Sequence, residues 1–194
     1  MTQAPAPQGT SCLWVVFAAC AGVFAVAYNT TAVMTALPAM KSSLDLGVNT
    51  LQWVVVLYML ATATSLAALG HFADMFGLVR IFIVGLAAFA IGGLANAMAN
   101  DVFFVLVGRA FQGIGAAGLL ATAVAMISVA SPQEKRAQGL GMLAASLAFG
   151  FALGPLIGGV LTDVFSWRAI FVLDLANIAI AASVCIMAAR LNLI

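Results

Sequence analysis

The sequence predicts an all-α membrane protein, six transmembrane helices arranged as two three-helix repeats of inverted topology. Three observations carry this. Of its 194 residues, 65% are hydrophobic and only 7% charged, with a mean hydropathy of +1.19. A soluble domain has roughly a quarter of its residues charged. The apolar residues come in six long runs, each near the ~20 residues that cross a hydrocarbon core of roughly 30 Å. A thirteen-residue pattern follows the second run and recurs after the fifth.

The runs cover residues 13–37, 51–69, 80–98, 102–129, 138–161 and 169–189. Polar punctuation separates them at 41–45, 71–79, 100–101, 131–136 and 162–168, each too short to be a domain. The expected organisation is a short tail at 1–12, a membrane bundle at 13–190 and a C-terminal end at 191–194. Lys and Arg accumulate on the cytoplasmic side of a membrane protein. Placing both termini inside puts Arg80, Lys135, Arg136 and Arg190 in the cytoplasm and Lys41 and Arg168 outside. The expected location is the cell (inner) membrane, with multiple passes.

The recurring pattern reads GHFADMFGLVRIF at 70–82 and GVLTDVFSWRAIF at 159–171, with Gly, Asp, Phe, Ile and Phe coinciding. The two copies fall on opposite membrane faces, as inverted repeats require.

Several function classes drop out. Formal net charge is +1 and no basic block exists, so nucleic acid is not an expected partner. Cys12, Cys20 and Cys185 lie in or beside apolar runs without metal-ligand spacing, and read as small buried hydrophobes. Phe17-Ala18-Ala19-Cys20 faintly suggests a lipoprotein cleavage site, but no Lys or Arg precedes it, so the first run is expected to stay as a spanning helix. No H-E-x-x-H, G-x-S-x-G or phosphate loop occurs, and His71 is a lone turn histidine. No enzyme, metal or cofactor is expected.

A charge at mid-helix costs about 2.5–3.5 kcal/mol on insertion scales, so it needs a partner or a cavity. Arg109 lies two turns into the fourth run, and Gln112, three residues on, shares its face. Both a transport role and a structural ion pair fit that position. Asp174 stands rather over one turn into the sixth run, where simply reaching water is a sufficient explanation. Gly113 and Gly115 would let another helix approach the fourth. In the fifth run Gly150 and Gly154 are spaced for tight contact, and Pro155 removes a backbone hydrogen bond and invites a kink. At 70–80, Asp74 and Arg80 set an acid and a base across a turn, and Asp74 is placed to accept from a helix N-terminus or from Arg136.

These motifs resemble the major facilitator superfamily, specifically the N-terminal six-helix half of its drug:proton antiporter group, exporters of 12 or 14 helices. Gly70, Ala73, Asp74 and Gly77 match the family's G-x-L-A-D-R-x-G-R-K loop. Arg109, Gln112, Gly113, Gly115, Ala116 and Ala117 match R-x-x-Q-G-x-G-A-A. Gly150, Gly154, Pro155, Gly158 and Gly159 match the antiporter motif G-x-x-x-G-P-x-x-G-G, and 167–171 match W-R-x-I-F. The resemblance covers residues from about 13 to 190. It implies a secondary transporter exporting small amphipathic compounds in exchange for protons. Arg109 would serve proton coupling, the fifth helix an outer gate, and Asp74 a cytoplasmic switch.

Departures from the pattern are equally specific. First-helix relatives read D-x-T-x-x-x-x-A-L-P, where this chain has Asn29-Thr30-Thr31 leading to Ala36-Leu37-Pro38, so the usual carboxylate is an amide. Met75 and Leu78 replace two basic residues of the cytoplasmic loop. Asp174 falls where relatives have Asn, and could supply the missing protonatable group, although the sixth helix is usually peripheral in this fold. The family also needs two six-helix bundles, so the expected partners are lipid, substrate, protons and a second half. A shortened copy, a half that pairs with itself, and a subunit pairing with another chain all stay open. A non-transporting membrane subunit derived from such a half is the alternative reading.

Overall fold

The computed structural model describes residues 9–190 and folds them into six antiparallel α-helices: α1 Gly9–Leu44, α2 Val48–Phe76, α3 Leu78–Ala97, α4 Val102–Ala130, α5 Gln133–Val164 and α6 Arg168–Arg190. No strand occurs among the described residues. All six helices are long and apolar enough to cross a membrane. The segment 191–194 and most of the expected tail at 1–12 lie outside the described residues; residues 9–12 already belong to α1.

The helices outlast the apolar runs. α1 continues seven residues past the run ending at Leu37, and α2 continues through the polar stretch 71–76. Backbone bonding is complete within a helix, so polar side chains at the membrane surface extend it rather than end it. The expected loop at 71–79 shrinks to Gly77, whose φ of 98° is the left-handed conformation that glycine tolerates. Its N–H caps α2 on the Ala73 carbonyl. α4 starts on Asp101, whose carboxylate accepts from the Phe104 N–H at 3.1 Å.

The packing has a two-fold pattern. α1 packs on α5 as α4 packs on α2; α1 packs on α6 as α4 packs on α3. Exchanging α1 with α4, α2 with α5 and α3 with α6 maps one set onto the other, which makes the inverted repeat visible in three dimensions. The recurring sequence follows the same map. Asp74 and Asp163 are exposed near the ends of α2 and α5, while Phe82 and Phe171 are fully buried in α3 and α6.

α1 and α4 form the buried centre, and α2 and α5 lie outside with most of their surface uncovered. α3 and α4 meet backbone to backbone: a Cβ on Gly115 would sit 2.7 Å from the Gly85 carbonyl and 2.8 Å from the Phe89 Cα. Gly113 points another way, against the Tyr58 carbonyl of α2 at 2.6 Å. At one end the chain is anchored by Trp167, whose indole donates to Ser43 Oγ at 2.8 Å. Arg168 stacks on that indole at 4.3 Å and donates from Nε to the Ala99 carbonyl at 3.1 Å. This ties the ends of α1 and α3 to the start of α6.

Gly115→Val is expected to cost about 1–3 kcal/mol by overpacking, read as a lower unfolding midpoint in detergent. Gly159→Ala, with nothing within 4 Å of its new methyl group and a better helix former in place, should not lower that midpoint.

Candidate functional site

Arg109 enters the centre of the bundle from α4, seven residues past Val102, or about 10 Å along the axis at ~1.5 Å per residue. It is 1% exposed. Such a cation must be satisfied inside the protein, and three helices contribute. Nε donates to the Val54 carbonyl of α2 at 2.9 Å, and Nη1 donates to Asn29 Oδ1 of α1 at 2.6 Å and to Gln112 Oε1 at 3.0 Å. The guanidinium carbon lies 4.1 Å from the centre of the Tyr58 ring, a cation–π contact.

Asn29 does not end the chain of contacts. Its Nδ2 donates to Asp174 Oδ2 of α6 at 2.5 Å. The amide thus accepts from the cation and donates to the carboxylate, which fixes its orientation, since reversed it would set donor against donor and acceptor against acceptor. Asn29, at 0% exposed, and Asp174, at 1%, are both sealed from solvent. Asp174 does not reach water, although its place in the sequence allowed that. Among the described residues it is the one buried acidic side chain; Asp45, Asp74, Asp101, Glu134 and Asp163 are exposed.

Gln112 closes the cluster. Its Oε1 also accepts from Asn96 Nδ2 of α3 at 2.9 Å. Two donors on the carbonyl turn the amide nitrogen towards α6, where Gln112 lies beside Asp174. The two groups stop short of a hydrogen bond of normal geometry, and the buried hydroxyl of Tyr28 makes none either. Sequence reasoning found Arg109 and Gln112 by depth and spacing. It missed Asn96, Tyr28 and Tyr58, whose polar atoms face inward from apolar runs.

The fifth-helix motif sits on α1, directly beyond this cluster. A Cβ on Gly150 would stand 2.7 Å from the Ala27 Cβ, and one on Gly158 would stand 2.8 Å from the Ala32 Cα. One on Gly154 would collide with Thr31 Oγ1. Gly159 and the exposed Pro155 face away from this seam. α5 runs as one helix through Pro155. A proline has no N–H, so the carbonyl four residues earlier loses its partner. That carbonyl belongs to Phe151, and Thr31 Oγ1 lies 3.3 Å from it, placed to donate. The hydroxyl lies 3.4 Å from the Ala27 and Tyr28 carbonyls of its own helix as well, so α1 offers the Phe151 carbonyl a shared donor in place of the N–H that Pro155 lacks.

At the other end, Asp74, Arg80 and Arg136 are exposed and Gly70 has open space around it. The structure does not bring Asp74 and Arg136 together, and α2 and α5 share no extensive contact.

The sequence matches the Major Facilitator Superfamily profile over residues 19–192. The chain belongs to the major facilitator superfamily. It is 36% identical over 173 residues to the "Cephamycin export protein CmcT" of Amycolatopsis lactamdurans, covering 89% of this chain and 35% of that one. It is 35% identical over 171 residues to the "Methylenomycin A resistance protein" of Bacillus subtilis (strain 168), covering 88% and 36%. With the "Multidrug resistance protein Stp" of Mycobacterium tuberculosis (strain CDC 1551 / Oshkosh) it shares 34% over 155 residues, covering 79% and 29%. The chain spans about a third of the length of the curated relatives it matches. A solved peptide transporter, POT in complex with sulfate, superposes with a TM-score of 0.82 at 19% identity over 95% of this chain and 38% of its own, a likeness of fold.

Thr31→Val should cost about 0.6 kcal/mol, the average for side-chain hydrogen bonds between membrane helices, measured as a shift in unfolding midpoint. In a Pro155→Ala background, where residue 155 regains its N–H, the same change should cost close to nothing.

Proposed function

We propose that this chain is one six-helix half of a secondary transporter that exports small amphipathic compounds in exchange for protons. The observation that carries the reading is the buried Arg109 cluster, in which one cation, one carboxylate and three amides meet at the centre of the bundle. A buried carboxylate joined to a buried cation through one amide is the pattern that supports a proton-coupling role.

The names of the relatives, which speak of export and of resistance to drugs, support small organic compounds as substrates. Their greater length supports a second bundle against the uncovered faces of α2 and α5, with the substrate cavity between the two bundles. Arg80, Lys135, Arg136 and Arg190 against Lys41 and Arg168 support both termini lying in the cytoplasm and a place in the cell (inner) membrane. In this scheme the tight α1–α5 seam at Gly150, Gly154 and Gly158 closes the outer side. The turn at Gly70, Asp74, Gly77 and Arg80, with Arg136 on the next cytoplasmic turn, acts as the inner gate.

The full-length protein in liposomes should concentrate a cationic dye when the lumen is made more acidic than the medium, so that protons leave as dye enters. Arg109→Ala should reduce this to the level of empty liposomes. Arg109→Lys should also lose most of it, because one ammonium cannot span the Val54 carbonyl and the Asn29 amide as the planar fork does. Transport by Arg109→Ala at the wild-type rate would leave a non-transporting or partner-dependent subunit as the better reading.

A further inference from the structure

We propose that Asp174 is the proton-carrying group of this transporter and that Asn29 is the positioning residue linking it to Arg109. The inference rests on the antiport reading above and assigns it to a particular atom. Asp174 is the one acidic side chain, among the described residues, buried within the bundle. Of its two oxygens, Oδ2 is held by Asn29 at 2.5 Å, while Oδ1 makes no hydrogen bond of normal geometry and has the Gln112 amide as its polar neighbour. A proton passed from hydronium binds at Oδ1: an O–H bond of the hydronium breaks, one forms on a carboxylate lone pair, the Asn29 bond to Oδ2 is kept, and no oxidation state changes. The reverse step on the other side of the membrane breaks that O–H bond and restores the carboxylate.

Protonation is felt at Arg109. With Asp174 ionised, the guanidinium faces a carboxylate across a single amide, and the cluster is neutral as a whole. With Asp174 neutral, Arg109 keeps an uncompensated charge in a low-dielectric interior, where such a charge is costly. That cost favours a different packing of α1, α4 and α6 or the departure of a cationic substrate, so proton binding and substrate release become linked. The other ionisable groups facing Asp174 are Tyr28 of α1, Tyr58 of α2 and Arg109 of α4. α3 has a single charged residue, Arg80, in its first turn, and α5 has none between Arg136 and Asp163. No second carboxylate competes for the proton at this level.

Because Asn29 and Asp174 touch, the carrier can be moved across their hydrogen bond. Asn29→Asp combined with Asp174→Asn keeps one carboxylate and one amide in the same volume, with the carboxylate now directly against Arg109. The full-length protein, reconstituted in liposomes, is followed in three ways: substrate counterflow, accumulation driven by a pH gradient, and the infrared carboxylic-acid band as pH is lowered. Asp174→Asn should keep counterflow, lose gradient-driven accumulation and lose one titrating band that exchanges slowly with deuterium. The double variant should regain accumulation and regain a band at a shifted frequency. Gradient-driven accumulation at the wild-type level in Asp174→Asn overturns the proposal, as does an unchanged set of titrating bands. If the wild-type protein exchanges substrate but ignores the gradient, the antiport reading fails. The infrared band then still decides whether Asp174 takes up a proton. Should Asp174→Asn not fold, Asp174→Glu decides: a titrating carboxylic-acid band unshifted from wild type there is a refutation.

Discussion

The guanidinium of Arg109 is sealed inside the bundle, and the placement of the helices around it follows from what a buried cation demands. It takes a backbone carbonyl from α2, an amide from α1 and an amide from its own helix, and its charge is answered through Asn29 by a carboxylate on α6. Each contact with another helix fixes the distance and rotation of that helix relative to α4. In hydrocarbon there is little hydrophobic drive between helices, so polar contacts of this kind and close packing decide the arrangement.

Close packing in turn depends on where side chains are absent. α3 reaches α4 through Gly85, Gly92, Gly108 and Gly115, which brings Asn96 near enough to hold Gln112. α5 reaches α1 through Gly150, Gly154 and Gly158, and α1 returns a hydroxyl from Thr31 to the carbonyl that Pro155 leaves free. The first seam positions the polar cluster. The second lies against the same stretch of α1 that carries Asn29, so a movement of α5 on α1 reaches the cluster within two residues. Packing and chemistry share one helix.

The six spans were legible because run length against bilayer thickness is a one-dimensional signal, and the repeat because the same turn was used twice. Arg109 and Gln112 were legible because an ionisable residue two turns deep in an apolar run is costly wherever its partners lie. The relay to Asp174 was not, since it joins residues 145 positions apart and no local spacing encodes that. Asp174 looked able to reach water from its distance to the end of its run. It is buried because α1 packs over that part of α6, which is tertiary information. α1 and α2 extend past their apolar runs, since polar residues at a membrane surface end the run but leave the helix intact. The Thr31 contact was half legible: Pro155 names the orphaned carbonyl of Phe151, while the donor comes from another helix. Asp74 and Arg136 had complementary charges but are carried on helices that hardly meet.

The central claim is that one continuous polar relay, from the Val54 carbonyl through Arg109 and Asn29 to Asp174, organises the bundle. It is tested most directly by an electron cryomicroscopy structure of the full-length protein in lipid nanodiscs at side-chain resolution. The account predicts the Asn29 amide between the guanidinium and the Asp174 carboxylate, with Gln112 against both, in at least one transport state. A structure in which Asp174 faces lipid headgroups or bulk water, with Arg109 paired elsewhere in every state, would contradict it.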